Sequence, residues 1–479
     1  MSETRRNKLI AAIGAFMFIS PNLNLIESVF IYCGIRDHDI VRIIALIIYA
    51  VIDVSLVALF LKKKPTKIAF FILIIFNLIY ILPLMVHPEK ITILQYLMFI
   101  VPITLFSLML SEDDTIKELF FRYFKYAAIV LFFIAIVYIA LQTVSTERER
   151  NGVDLIHNMS YGDMGYLFLN GFLASVIYCK EKKYFIGLLG MIVFSLGVFF
   201  SGTRSAVICI LFVIVLWIAL ALLNKKTSKS EKRLLLVGIS VIILTLVVGV
   251  VTIPSGSRLN FFKIDFTDPN FSLKSIIFET EQDNINDIMV IYTPTNEERP
   301  ISEIYEEEII KSDRTKSETQ NLLREDVSEN RNEYIKLINE EDREFAENYK
   351  IINHRTFLWH VAIEEYKKHP VIGNGARYYM LKYNGFFPHN IILEALVDFG
   401  VIGALLVIMI GLYCFIRAVR YYLKTNDDNC FLLIILLFSH VPRYLLYTSL
   451  YSNYTIAMTI IIFTTMGKFE DGEKALFKK

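Results

Sequence analysis

Three side chains in this sequence sit where a polar group needs a reason. Arg204 lies in Ser201-Gly202-Thr203-Arg204-Ser205, between two apolar runs. Arg355 follows Asn353 closely, where a helical pattern begins. His389 opens a further apolar run, next to Asn390. An arginine presents a planar fork of N–H donors that matches phosphate oxygens. Asn353 is a residue type that caps a helix, here expected to run to Lys368. The free N–H groups and dipole of that N-terminus add to the attraction for an anion. A histidine titrates near neutral pH and accepts a proton from a hydroxyl. Each residue also has a plainer reading. Arg204 is placed like an interfacial arginine that snorkels to the headgroups. Arg355 has glutamates nearby in sequence to pair with, and His389 sits where a capping histidine would.

Other polar residues are weaker candidates. Asp53, Asp163, Glu394, Asp398, His440 and Arg443 fall inside apolar runs. Charges within a membrane are functional suspects, although a packed bundle can also line itself with such groups. His369-Pro370 stops the helix that follows Asn353, and Val371-Ile372-Gly373-Asn374-Gly375 reads as a tight turn. Gly373 and Gly375 form no dinucleotide fingerprint, because the preceding strand and a third glycine are missing. His354, His360 and His369 lack metal-ligand spacing, and the chain contains no H-E-x-x-H and no P-loop. No cofactor or metal is therefore expected. Cys33, Cys179, Cys209, Cys414 and Cys430 lie in or at the ends of apolar segments and read as packing residues.

The elements that must position these residues are membrane spans. Of 479 residues, 55% are apolar and 20% charged, and the apolar ones come in runs near the length that a bilayer core requires. An all-α, polytopic membrane protein is expected, with spans near 9–33, 41–61, 68–86, 91–110, 124–144, 161–179, 184–200, 203–223, 234–253, 389–416, 429–448 and 451–467. Arg5, Arg6 and Lys8 before Leu9–Ile19 resemble a signal peptide, but no small-residue cleavage site follows, so this is read as an uncleaved first span. With the N-terminus inside, the inner segments hold 25 basic residues and the short outer loops six. The positive-inside rule then puts both termini in the cytoplasm and the large loop outside.

Three regions follow: 1–253 with nine spans, 254–388 as the extracytoplasmic loop, and 389–479 with three spans and a cytoplasmic tail. Within the loop, residues 263–350 carry 23 acidic against 11 basic side chains. Apolar residues recur there at helical spacing, at Tyr334, Ile338, Phe345, Tyr349 and Ile352, and at Ile301, Ile304, Tyr305 and Ile309. A solvated, helical, acidic insertion is expected. The rest of the loop, 353–388, bears the motifs.

Taken in order, Ser201-Gly202-Thr203-Arg204-Ser205-Ala206, Arg355-x-x-x-Trp359, His369-Pro370-Val371-Ile372-Gly373-Asn374-Gly375, His389-Asn390-x-x-Leu393-Glu394 and Phe399-Gly400-Val401-Ile402-Gly403 resemble the pattern of the O-antigen ligase and polymerase superfamily. The resemblance covers about 185 to 410. It implies a metal-independent membrane glycosyltransferase that uses undecaprenyl-diphosphate-linked glycans at the outer face of the bacterial cytoplasmic membrane. It further implies that Arg204 and Arg355 hold the diphosphate and that His389 activates the acceptor hydroxyl. Asn390, Arg377, Gly373 and Gly375 would support them. Expected partners are the lipid-linked donor, a glycan acceptor that is lipid-linked or lipid A core, membrane lipids, and a flippase and chain-length regulator, with no nucleic acid. A polysaccharide polymerase is the leading expectation; a ligase and a flippase for the same lipid-linked glycan are the alternatives. The long acidic insertion departs from many members of the superfamily.

The orientation is testable. A cysteine in place of Asn321 should react with an impermeant reagent in intact cells that lack an outer barrier, and one in place of Lys226 should not. Protection at Asn321 would reverse the topology.

Overall fold

The computed structural model describes residues 2–19, 24–33, 35, 38–63, 71, 74, 101–144, 161–224, 237–240, 245, 354–382, 387–451 and 454–465. Every regular element among them is a helix. The first expected span is instead two helices, α1 (Glu3–Ile19) and α2 (Asn24–Tyr32), with Pro21 in the intervening sequence. They are followed by α3 (His38–Lys63), α4 (Val101–Glu112), α5 (Asp114–Val144), α6 (Tyr161–Lys180), α7 (Tyr184–Phe200) and α8 (Arg204–Leu223). Then come α9 (His354–Lys368), α10 (Tyr378–Lys382), α11 (Ile391–Thr425), α12 (Asp428–Phe438), α13 (Val441–Leu446) and α14 (Tyr454–Thr465). Asn353, the acidic insertion with both its apolar stripes, most of the spans expected at 68–86 and 234–253, and the first half of the span expected at 91–110 lie outside the described residues.

Helix α5 starts ten residues before the expected span because Asp113 caps it. The Asp113 Oδ1 accepts the backbone N–H of Thr115 at 2.9 Å and of Ile116 at 3.4 Å. Five stretches among the described residues are long and apolar enough to cross a membrane: Ile43–Lys62, Asp114–Gln142, Ser205–Leu223, Ile391–Thr425 and Asp428–Leu446. Helices α3 and α5 leave large apolar side chains exposed at helical spacing, among them Ile43, Ile47, Val51 and Val54, and Ile129, Val130, Phe133 and Val137. Such a surface suits lipid rather than water.

The chain divides into two compact units. Residues 1–264 and 407–479 form the first, and 265–406 the second. In the first, α1 packs on α5, α6 on α7, α4 on α14 and α8 on α13. Its core holds Phe18, Phe106, Phe120 and Phe124, whose rings meet at centroid distances between 5.4 and 6.2 Å. The α6–α7 pair approaches closely because glycines face it, as small residues do wherever membrane helices pack tightly. A Cβ on Gly187 would lie 2.3 Å from Cys179 Sγ, and one on Gly171 would lie 2.2 Å from the Phe194 ring.

The end of this unit expected to face the cytoplasm is held by polar contacts. Asn7 donates to Asp113 Oδ2 at 3.2 Å, and Lys180 pairs with Asp428 at 3.0 Å. Lys125 pairs with Glu181, and Asn224 donates to Tyr422 Oη at 2.9 Å and to Asn426 Oδ1 at 2.6 Å. In the second unit, Leu358, Ala362, Tyr379 and Val397 form a small core of their own, flanked by Val361, Tyr366, Tyr378 and Leu393.

Overpacking the α6–α7 contact should destabilise the first unit. Gly187→Leu is expected to cost about 1–3 kcal/mol, read as a lower unfolding temperature in detergent. Gly411→Leu, whose added Cβ meets nothing within 4 Å, should leave that temperature unchanged.

Candidate functional site

The second unit is organised around a break in α11. Gly400 there has φ 65° and ψ −166°, outside helical values. Peptide groups around such a break lose helical partners and must find others. The turn that follows α9 supplies them. Asn374 N–H donates to Val397 O and Gly375 N–H to Asp398 O, both at 2.9 Å. In the other direction, Val401 N–H donates to Pro370 O at 2.9 Å and Ile402 N–H to Val371 O at 3.4 Å. Backbone lies against backbone, which is why glycine stands on both sides. A Cβ on Gly400 would fall 2.2 Å from Val371 O, and one on Gly373 would fall 2.4 Å from Asp398 O. Gly375, with φ 108°, also adopts a conformation that suits glycine.

Buried side chains reinforce the joint. Asp398 is 1% exposed and its carboxylate accepts the backbone N–H of Arg377 at 2.7 Å and of Tyr379 at 3.5 Å. Asn374 Nδ2 donates to Glu365 O at 3.1 Å and to Val397 O at 3.0 Å, tying the end of α9 to α11. Glu365 is buried, and it accepts from Lys368 and Lys382 at 2.8 Å each and from Tyr378 Oη at 2.9 Å. Burial, followed by the neighbouring Glu365 carboxylate, pushes the Tyr378 phenol up to about 12.

The second unit carries all the predicted site residues except Arg204. Arg355 lies in the first turn of α9, one turn before Trp359. Trp359 Nε1 donates to Pro388 O at 2.8 Å, so α9 is tied to the residue immediately before His389. His389 itself is half-buried and has φ 51°, in the left-handed region. Its ring lies 4.3 Å from that of Phe387 between centroids. Asn390 is the cap of α11: its Oδ1 accepts Ile392 N–H at 2.9 Å and Leu393 N–H at 3.2 Å. Arg377 is buried, with φ 62°. Two non-glycine residues with positive φ, at Arg377 and His389, therefore flank the same short stretch, and backbone strain of this kind tends to gather at functional sites.

Arg204 belongs to the first unit, where it begins α8 directly after the Ser201-Gly202 turn. Gly202 has φ 72°. Ser201 Oγ donates to Val198 O at 2.7 Å and accepts Thr203 N–H at 3.3 Å. Beside this end of α8 lie the buried Tyr166 and His440 and the half-buried Arg443. The Arg443 guanidinium lies 4.0 Å over the Tyr166 ring, and the His440 ring is 6.4 Å from Tyr166. Neither nitrogen of His440 has a hydrogen-bond partner among the described residues. No group of three His, Cys, Asp or Glu side chains with metal-holding geometry occurs among those residues. Sequence reasoning singled out Asp398 only as a charge within a span, and it passed over Glu365 and Tyr166 altogether. The joint between the two glycine motifs is a pairing that spacing alone does not reveal.

Gly400→Ala should open the joint at a cost of about 2 kcal/mol or more, the range of substitutions that strain a special backbone position. The expected readout is faster proteolysis within 369–389 in detergent-solubilised protein. Proteolysis at the wild-type rate would show that the Gly400 contact does not hold the turn.

Comparison with known proteins adds one finding. Residues 189–408 match the family model described as O-antigen ligase, Wzy_C. Among curated proteins, no match is found.

Proposed function

From its O-antigen ligase domain, which places the chain in the O-antigen ligase and polymerase superfamily, we propose a membrane glycosyltransferase that polymerises undecaprenyl-diphosphate-linked repeat units at the outer face of the bacterial cytoplasmic membrane. The observation that carries the reading is the Trp359–Pro388 hydrogen bond, which ties the helix bearing Arg355 to the turn bearing His389.

The chemistry follows from the residue types. An acceptor hydroxyl oxygen attacks the anomeric carbon of the donor sugar, and the bond from that carbon to the diphosphate oxygen breaks. His389 takes the hydroxyl proton. The electron pair leaves with the lipid diphosphate, whose developing charge Arg204 and Arg355 offset in the way that preorganised cations stabilise a transition state. The energy resides in the sugar–diphosphate bond, so the reaction needs no nucleotide, and with two guanidinium groups on the leaving group it needs no divalent cation. A membrane-spanning bundle gives the lipid tail a place that a soluble fold lacks. Another lipid-linked glycan as acceptor makes the enzyme a polymerase, and lipid A core or protein as acceptor would make it a ligase. The polymerase reading is preferred because the resemblance implies that polymerases vary more in sequence, and the long acidic insertion, residues 263–350, departs from the pattern of many members.

Arg204→Ala and Arg355→Ala should each lower glycan elongation by about 10²–10³, the cost of a lost transition-state contact of this type. Lysine at either position should rescue only in part, because it keeps the charge and loses the planar fork. His389→Asn tolerates the left-handed backbone but removes the base, for a loss of about 10²–10⁴. Donor binding should survive the histidine change better than either arginine change. Chelators should leave wild-type turnover unchanged. Near-normal elongation by all three variants, each correctly inserted, would remove the residue-level basis of the reading.

A further inference from the structure

The hairpin that presents Arg204 is gripped from one side by α6. Three observations within the first unit define the grip. Gly165 lets the helix approach the hairpin directly: a Cβ there would lie 2.5 Å from both Cβ and Oγ1 of Thr203 and 2.9 Å from Ser201 Oγ. The next residue, Tyr166, donates its hydroxyl to Ser205 Oγ at 2.8 Å. Arg443 stacks on that phenol ring at 4.0 Å. Tyr166, Ser201, Thr203 and Ser205 are each no more than 5% exposed.

These contacts surround a single residue. Thr203 and Ser205 are the sequence neighbours of Arg204, and α6 holds both, Thr203 by close packing against Gly165 and Ser205 by the hydrogen bond from Tyr166. The first position of a helix lies where the backbone frays. Holding its two neighbours fixes the backbone from which the Arg204 side chain starts. The Tyr166 hydrogen bond lies in a buried setting, where competition from water is small. The planar guanidinium of Arg443 covers one face of the ring, a contact that fixes the ring's plane and that an ammonium could not reproduce with the same geometry.

We propose that Gly165 and Tyr166, backed by Arg443, are positioning residues for Arg204: they set the register of the Ser201–Ser205 hairpin so that Arg204 meets the anionic diphosphate of the donor. The proposal rests on the reading of Arg204 given above. Tyr166 does not contact the donor, and its effect reaches the reaction through Ser205 and the start of α8.

The test is a set of coupled variants in purified full-length protein, with turnover, donor KM and unfolding temperature measured for each. Tyr166→Phe keeps the ring under Arg443 and deletes only the hydroxyl. It should reduce turnover by about three- to tenfold, the range expected for one hydrogen bond of ordinary strength. Ser205→Ala should do the same, and the double variant Tyr166→Phe/Ser205→Ala should be no worse than either alone, because both delete one bond. In an Arg204→Lys background with measurable residual turnover, Tyr166→Phe should cost less than twofold, since the fork it positions is gone. A purely structural role would instead lower the unfolding temperature and cost the same factor in both backgrounds. Equal losses with and without Arg204, or wild-type turnover in Tyr166→Phe, would overturn the proposal. Failure of the underlying reading has a separate signature, which is wild-type turnover in Arg204→Ala itself. Gly165→Ala pushes Thr203 directly and should exceed Tyr166→Phe in its loss; if that variant fails to insert, the tyrosine and serine variants decide the matter alone.

Discussion

The second unit depends on one exchange of backbone hydrogen bonds. Where α11 breaks at Gly400, the turn 370–375 supplies two donors and two acceptors to the peptide groups around the break. A buried amide left without a partner is costly, so the break and the turn require each other. The same exchange fixes everything attached to it. Asp398 stands at the break and orders the backbone at Arg377 and Tyr379. Asn374 draws in the end of α9. Helix α9 then reaches Pro388 through Trp359, and His389 follows with a left-handed backbone. The contact requires backbone on both sides, and any side chain on Gly373 or Gly400 would separate them.

The first unit meets a different constraint. Its helices are apolar on the outside as well as within, so no hydrophobic surplus selects one packing over another once lipid is the solvent. Close approach and paired polar groups must do so. Glycines set the α6–α7 contact, and polar contacts at one end link α1, α5, α6 and α12 with one another and α8 with α11. At the other end of α6, the same economy of small residues and single hydrogen bonds holds the Ser201–Ser205 hairpin. That hairpin is short, its bonds are few, and each is buried, so small chemical changes there carry through to the residue it presents.

Much of this was legible from residue types, and the exceptions have physical causes. Helices α6, α7 and α8 fall within a residue or two of their expected bounds, because apolar runs bounded by Lys180-Glu181-Lys182-Lys183 and Ser201-Gly202 leave few alternatives. Hydrophobicity alone leaves out the start of α5, because its first ten residues carry Asp114, Lys117, Glu118 and Arg122; the cap at Asp113, not apolarity, decides where that helix begins. The two motifs around Gly373 and Gly400 were each visible, and their pairing was not. They are separated by more than twenty residues, and what joins them is backbone geometry that has no signature in side-chain type. The resemblance gives Asn390 a supporting role beside His389; the structure adds that it caps α11, which residue type alone does not single out. Tyr166 and Glu365 went unnoticed because a tyrosine at the start of a span and a glutamate in an amphipathic helix are ordinary choices, and only their partners distinguish them.

The roles given to Arg204, Arg355 and His389 all depend on glycan transfer. Its most direct test is to supply purified full-length protein, in liposomes, with a single lipid-linked repeat unit and to follow both glycan length and sidedness. Longer lipid-linked glycans, with one undecaprenyl diphosphate released for each linkage formed, are the result predicted. Movement of the repeat unit across the bilayer with no elongation and no release of the lipid diphosphate would contradict it and would make the protein a transporter.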